Sequence, residues 1–401
     1  MKKSETSSVS LDELLTRGVD SIYPSTLEIK KTLLSGKKFR LYQGFDPTGT
    51  QLHIGHTVAL WKLRQFQQLG HEVIFLIGDG TGQAGDPSGK TTARDRFLTR
   101  DELRANARDY VHQASKIVQF DGPNPVKILY NGDWLNKLGL VEILNLAGHF
   151  SVQQLLERDM FQNRMKKGET INLREFLYPL LQGYDSVAMN VDLEIGGTDQ
   201  TFNMLAGRLL VKAMLGKEKF VLTVPLLTDA HGKKIGKTEG NVIGITDRPN
   251  ELFGKIMALA DSVIGPAFEL ITPIPMGEVN QIKTKLNDPK TNPMEFKKKL
   301  AHTLVSLYHS IDEASKAQKY FEQTVQHRQL PMENVESFST TDHQFSSVAL
   351  KSGLVTSMSE LKRLVKQGGV YINNERVTDI NRELKDGDII RRGSHRIVKV
   401  N

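Results

Sequence analysis

The chain has 401 residues, 39% of them hydrophobic and 25% charged, which allows a sizeable core and two or three folding units. It contains no cysteine, which excludes disulfides, thiolate metal ligands and a cysteine nucleophile. The net charge of +7 permits a polyanionic partner but is equally an ordinary lysine-rich surface.

The amino-terminal segment Met1 to Ser10 is polar and does not read as a secretory signal. No stretch reaches the roughly 18 continuous apolar residues of a membrane helix, so a cytoplasmic protein without membrane contact is expected. Residues 1–34 read as a helical lead-in that ends near Gly36. From Arg40 to about Leu227, short apolar runs alternate with glycine turns and helical patterns. Phe39 to Phe45, His71 to Gly78 and Val126 to Tyr130 read as strands, and a helix is expected after His56 and again from Gln200. This alternation predicts an α/β fold, a Rossmann-like doubly wound parallel sheet with ligands at the carboxyl ends of its strands. From 247 to 326 the strand signals fade, and Leu252, Ile256, Leu300, Leu304 and Tyr308 keep helical spacing. Residues 327–342, with Pro331 and a Ser/Thr run, read as a linker. Beyond it, 343–401 form a small α+β unit: Leu361, Leu364 and Val365 make an apolar helix face, and Asn373-Asn374 a hairpin turn. Residues 341–401 carry 11 Lys and Arg against 7 Asp and Glu, which favours RNA binding by this unit.

Four stretches carry chemistry. His53-Ile54-Gly55-His56 stands at an expected helix start, where free N–H groups, the helix dipole and a glycine between two imidazoles suit a polyphosphate. A zinc reading of the two histidines lacks further ligands, so no metal site is expected. Lys233 to Thr238, about 180 residues downstream, forms a lysine-rich loop. The glycine-rich run Gly80 to Lys90 matches neither a dinucleotide fingerprint nor a Walker loop. It does offer Asp86 to an ammonium group, and Lys90 with Arg94 four residues on to an anion. Tyr178, Gln182 and Asp185 fall at i, i+4 and i+7, placing a phenol, an amide and a carboxylate on one helix face.

Together these stretches resemble the bacterial tyrosyl-tRNA synthetases, class I enzymes with a carboxyl-terminal S4-like module. The similarity runs from Tyr42 to Thr48, through Gly85 to Lys90, Tyr130 to Trp134, Tyr178 to Asp185 and Gly196 to Gln200, to Lys234-Ile235-Gly236-Lys237-Thr238. It extends over Asn292-Pro293-Met294 and the tail from Ser359 to Val377. The resemblance implies a catalytic domain at 1–246, a helical anticodon-arm domain at 247–326, the linker 327–342 and an S4-like domain at 343–401. It implies an aminoacyl-tRNA synthetase that joins tyrosine to ATP, carried as its magnesium complex, and passes the tyrosyl group to tRNA(Tyr). By the same carry-over Tyr42 and Asp185 hold the phenol hydroxyl, while Asp86, Tyr178 and Gln182 bind the ammonium group. Gly44, Asp46, Gly197, Asp199 and Gln200 line the adenosine and carboxylate region. Thr48, His53, Gly55, His56, Lys90, Arg94, Lys234, Lys237 and Thr238 meet the phosphates. A homodimer is implied, with residues 145–175 at its interface; DNA is not an expected partner. Lys166, Lys167, Lys217 and Lys219 are candidate tRNA contacts. The remaining readings are a tryptophanyl-tRNA synthetase-like enzyme and a noncatalytic RNA-binding paralogue.

Overall fold

The computed structural model describes residues 10–49, 51–88, 98–228, 235, 242–326, 336–373, 375–393 and 396–401. The chain divides into two compact units, residues 1–315 and 316–401. Among the described residues of the first unit, six strands form one sheet: β1 (Ser21–Tyr23), β2 (Arg40–Phe45), β3 (Glu72–Ile77), β4 (Lys127–Tyr130), β5 (Leu193–Gly197) and β6 (Phe220–Val224).

The sheet order is β1-β6-β5-β2-β3-β4, parallel except for β1 against β6. Val73 to Ile77 in β3 is a continuous apolar run and wholly buried, as a central parallel strand covered on both faces must be. The chain moves outward from β2 through β3 to β4, then returns to the other side of β2 as β5 and continues to β6. That reversal makes a crevice between the carboxyl ends of β2 and β5, the place where such sheets bind ligands. Asp46 follows β2 there, and Gly197 ends β5.

The doubly wound architecture agrees with the expectation from sequence, but the lead-in differs. Helices Leu11–Thr16 and Thr26–Leu34 flank β1, which pairs with β6 through Ser21 and Thr223. Three residues are too few for a readable alternation, and their partner lies about 200 residues away; strand propensity is decided by such context. Lys62, buried on helix Ile54–Gln68, ties the lead-in down by donating to the carbonyls of Leu14 (2.7 Å) and Arg17 (2.6 Å).

Helices Pro249–Met257, Asp261–Ile271, Met276–Leu286 and Pro293–Tyr308 bury Leu252, Ile256, Leu300 and Leu304 within the same unit. They join the sheet region through Trp61, whose Nε1 donates to Ile271 O at 3.1 Å, and Arg17, which donates to Thr272 O at 2.7 Å. No helix among the described residues is long and apolar enough to cross a membrane.

The second unit holds a sheet ordered β7-β11-β10-β8-β9, from β7 (Glu336–Phe338), β8 (Val370–Ile372), β9 (Glu375–Arg376), β10 (Ile389–Arg392) and β11 (Arg396–Val400). Its core gathers Phe345, Val348, Leu361, Val370, Ile372 and Ile390. The helix Met358–Gln367 is capped by Ser357 and stops at Gly368, whose φ of +72° only glycine adopts without strain. Lys362, Arg363 and Lys366 are exposed, opposite the buried Leu361 and Val365. β7 falls inside the stretch read as linker and pairs in parallel with β11.

Candidate active site

The helix Ile54–Gln68 begins at His53, and its first turn is held by a reciprocal pair of histidines. Gly55 N–H donates to His53 Nδ1 (3.1 Å), and His53 N–H donates to His56 Nδ1 (3.2 Å). Both rings therefore accept at Nδ1, which puts the proton of each neutral imidazole on Nε2, a donor. The rings lie 3.8 Å apart between centroids. A Cβ at Gly55 would sit 3.0 Å from the His53 ring and 3.4 Å from Ile235 O, so the turn leaves little room for a side chain there. Ile235 is the described residue of the lysine loop. The chain after that loop is laced to the same turn: Ile54 N–H donates to Ile243 O (3.0 Å) and Ile245 N–H to Leu52 O (3.1 Å).

Across the crevice runs the helix Leu173–Ala188, opened by Asn172 and Glu175 as reciprocal caps. It aims Tyr178, Gln182 and Asp185 into one cavity. Asp185 is buried; its Oδ2 accepts from Asn131 Nδ2 (2.9 Å) and its Oδ1 from Trp134 Nε1 (2.8 Å). Burial pushes its pKa well above the usual carboxylate range, against the pull of those two N–H donors. Tyr42, also buried, places its hydroxyl 2.9 Å from Ser186 Oγ. Tyr178 donates to Asp46 Oδ2 (2.8 Å), and Thr81 donates to Asp46 Oδ1 (2.7 Å). Burial, reinforced by nearby carboxylates, raises both phenol pKa values well above the ordinary range, so both remain protonated donors at neutral pH. Any Cβ at Gly78, the residue after β3, would overlap the Asp46 carboxylate, which explains the glycine there.

Asp86 occupies a third wall. Its Oδ1 accepts from Ser88 N–H (2.8 Å) and its Oδ2 from Gln200 Nε2 (2.9 Å), while Gln200 Oε1 accepts from Asn203 (2.9 Å). Arg158, which sequence reasoning missed, donates to Ser88 Oγ at 2.9 Å and lies over the Phe202 ring.

These walls enclose one cavity of about 690 Å³. Tyr42, Asp86, Tyr178, Gln182, Asp185 and Gln200 line it, as do Gly44, Asp46, Gly55, Gly197, Asp199, Thr48, His53 and His56. Lys90, Arg94, Lys234, Lys237 and Thr238 lie outside the described residues. The Asn131 and Trp134 donors stood inside the Tyr130–Trp134 motif, where two polar side chains beside a strand end were the available signal. Two expectations are corrected. The N–H groups of His53, Ile54, Gly55 and His56, read as free, all donate within the protein, to His56 Nδ1, Ile243 O, His53 Nδ1 and His53 O. Lys219 is no surface contact for RNA: it is fully buried before β6 and paired with Glu194. Burial lowers its pKa, opposed by the Glu194 carboxylate.

The chain belongs to the tRNA synthetases class I (W and Y), whose family model matches residues 34–326, and an S4 domain matches residues 347–390. Among its relatives, the tyrosine–tRNA ligase of Haemophilus ducreyi is 42% identical over 94% of both chains. That of Carboxydothermus hydrogenoformans is 40% identical over 97% of both. A C-terminally truncated mitochondrial tyrosyl-tRNA synthetase of Coccidioides posadasii superposes with a TM-score of 0.62 at 26% identity, over 77% of this chain and 90% of that one. The Archaeoglobus fulgidus tyrosyl-tRNA synthetase, solved with L-tyrosine, shares the fold with a TM-score of 0.60 at 19% identity, over 76% of this chain and 98% of that one.

Proposed function

We propose that this chain catalyses the tyrosine–tRNA ligase reaction. The tyrosine carboxylate attacks the α-phosphorus of ATP and expels pyrophosphate; the terminal ribose of tRNA(Tyr) then attacks the tyrosyl carbonyl and AMP leaves. An ionised carboxylate needs no nucleophilic side chain and no strong base. It needs alignment, and donors where pyrophosphate charge grows. The observation that carries the reading is a single cavity with two chemically different ends. At its buried end Tyr42 and Asp185 share the wall, suited to a phenol; at its half-exposed end stand the His53 and His56 imidazoles, suited to phosphates.

In this reading Tyr42 and Asp185 grip the phenol, and Asp86, Tyr178 and Gln182 face the ammonium group. Gly44, Asp46, Gly197, Asp199 and Gln200 border the adenosine and carboxylate. Thr48, His53, Gly55 and His56 meet the phosphates, with Lys90, Arg94, Lys234, Lys237 and Thr238 supplying further cations and a hydroxyl. Magnesium arrives with the nucleotide as part of the substrate. Residues 247–326 and the S4 unit, with Lys362, Arg363 and Lys366 exposed on one helix, contact the tRNA. A second copy of the chain covers Leu140, Val141, Leu144, Val152 and Leu173, large apolar side chains that are between 60% and 76% exposed. The reaction takes place in the cytoplasm.

Pyrophosphate exchange, run with each of the twenty amino acids, tests the reading. Exchange driven by tyrosine is expected. Exchange driven by tryptophan instead would move the chain to the other branch of its family, and none at all would leave an RNA-binding protein without catalysis.

A further inference from the structure

Between β2 and His53 the described residues form neither helix nor strand, so their buried peptide groups need partners from elsewhere. The helix Arg100–Ala114 supplies three. Asn106, Tyr110 and Gln113 stand at i, i+4 and i+7 of that helix and therefore share one face. Asn106 Nδ2 donates to Pro47 O at 2.9 Å, and Gln113 Oε1 accepts the Leu52 N–H at 2.7 Å. Between them, Tyr110 accepts a hydrogen bond from the Gly49 backbone. Burial, reinforced by the Asp46 carboxylate, pushes the Tyr110 phenol up to about 12 against that bond.

The helix that makes these bonds is itself anchored at its other end. Arg100 Nε and Arg104 Nε donate to the same oxygen of the fully buried Asp79, at 2.8 and 2.6 Å. The other Asp79 oxygen accepts the Gly132 N–H at 2.7 Å. Its first turns are thus fixed to the loops after β3 and β4, and its later turns to the loop after β2. Leu52 is gripped twice, since its carbonyl accepts the Ile245 N–H at 3.1 Å while its N–H goes to Gln113. The cavity wall includes Thr48, His53 and Tyr110 but neither Asn106 nor Gln113.

We propose that Asn106, Tyr110 and Gln113 are positioning residues for the phosphate side of the cavity. They hold the peptides of Pro47, Gly49 and Leu52 so that Thr48 and the His53 helix start keep their place along the crevice. The inference rests on the tyrosine and ATP reading above. Three hydrogen bonds spread over seven helical residues fix the orientation of a loop, which a single bond would leave free to pivot. The phenol end does not depend on this face of the helix, because Asp185 is held by Asn131 and Trp134. Loosening the loop therefore acts on adenylate formation and leaves tyrosine binding in place.

The test is tyrosine-dependent pyrophosphate exchange with the full chain, comparing wild type with Asn106→Ala, Tyr110→Phe and Gln113→Met. Asn106→Ala and Tyr110→Phe should each lower turnover at saturating substrates roughly fivefold, the loss of one hydrogen bond. Gln113→Met strands the buried Leu52 N–H and should lower turnover roughly tenfold or more. In all three the KM for tyrosine should stay within about twofold of wild type. Tyr110 touches the cavity and Asn106 does not, so this pair separates positioning from direct contact. A slow Tyr110→Phe beside an Asn106→Ala at wild-type turnover would make Tyr110 a contact of the nucleotide and overturn the shared role. Wild-type turnover in both does the same. So does a rise in tyrosine KM that matches the loss of turnover, the mark of general loosening. Should Gln113→Met not fold, the other two variants decide. A wild-type chain with no tyrosine-dependent exchange would instead remove the functional reading on which the proposal stands.

Discussion

The two ends of the cavity are built on opposite principles. At the buried end Asp185 holds Asn131 and Trp134, Tyr178 holds Asp46, and Tyr42 holds Ser186. At the His53 end the first-turn N–H groups are spent on the two imidazoles, His53 O and Ile243 O, and the donors turned toward the crevice belong to the half-exposed imidazoles. The difference matches the two tasks. Rejecting an amino acid that lacks one hydroxyl requires groups that lose heavily when left unpaired, which only burial and preorganisation provide. Stabilising charge that appears during reaction requires donors aimed at a position that water can also reach before the substrate arrives.

Four measurements would break or sharpen this contrast. The largest effect is expected from Lys219→Met alone, which strands the Glu194 carboxylate in the interior and should lower stability by about 4 kcal/mol in urea unfolding. Unchanged stability would mean that the Lys219–Glu194 pair is not tightly built. Next comes acid sensitivity at the far end of the strand that carries Tyr42. His71 Nδ1 accepts the Phe39 N–H (3.0 Å), and burial, helped by Lys38, lowers its pKa to about 4. The unfolded chain takes up this proton from about pH 6.5 downward while the folded chain resists until about pH 4. The contribution is therefore complete above pH 6.5 and lost as the pH falls to 4, up to about 3 kcal/mol. Urea unfolding of wild type and His71→Gln across that window should diverge by this amount.

Third, Asp185→Ala removes the acceptor at the buried end, and the tyrosine-over-phenylalanine ratio in exchange should fall roughly 100-fold. Last, His53→Asn keeps a side-chain acceptor for the helix start, so its unfolding midpoint should hold, while loss of the imidazole donor should slow adenylate formation roughly tenfold. An equal rise in tyrosine KM for this variant would erase the division between the two ends.

Much of the site was legible because its signals are local. The interval from Tyr178 through Gln182 to Asp185 puts three polar groups on one helix face wherever that helix packs. A glycine between His53 and His56 reads as close approach to a backbone turn before any coordinates exist. The topology followed from apolar runs such as Val73 to Ile77, too uniformly apolar to face water on either side. The histidines themselves held a surprise, since their Nδ1 atoms serve as the caps of their own helix. β1 was not legible, because three residues carry no pattern and their pairing partner lies in β6.

The sequence by itself determined the order of loops around the crevice and the side chains each one offers, since spacing along a helix or strand is set by backbone geometry within a few residues. Tertiary structure alone decided that Lys219 turns inward to Glu194 instead of outward to RNA, that Tyr178 meets Asp46 and that Asn131 and Trp134 hold Asp185. A lysine two residues from another lysine looks like surface in a one-dimensional record. Its burial depends on a carboxylate and a hydroxyl from other elements, and on the space left by Gly207, all brought within hydrogen-bonding distance only by the packed helices and sheet.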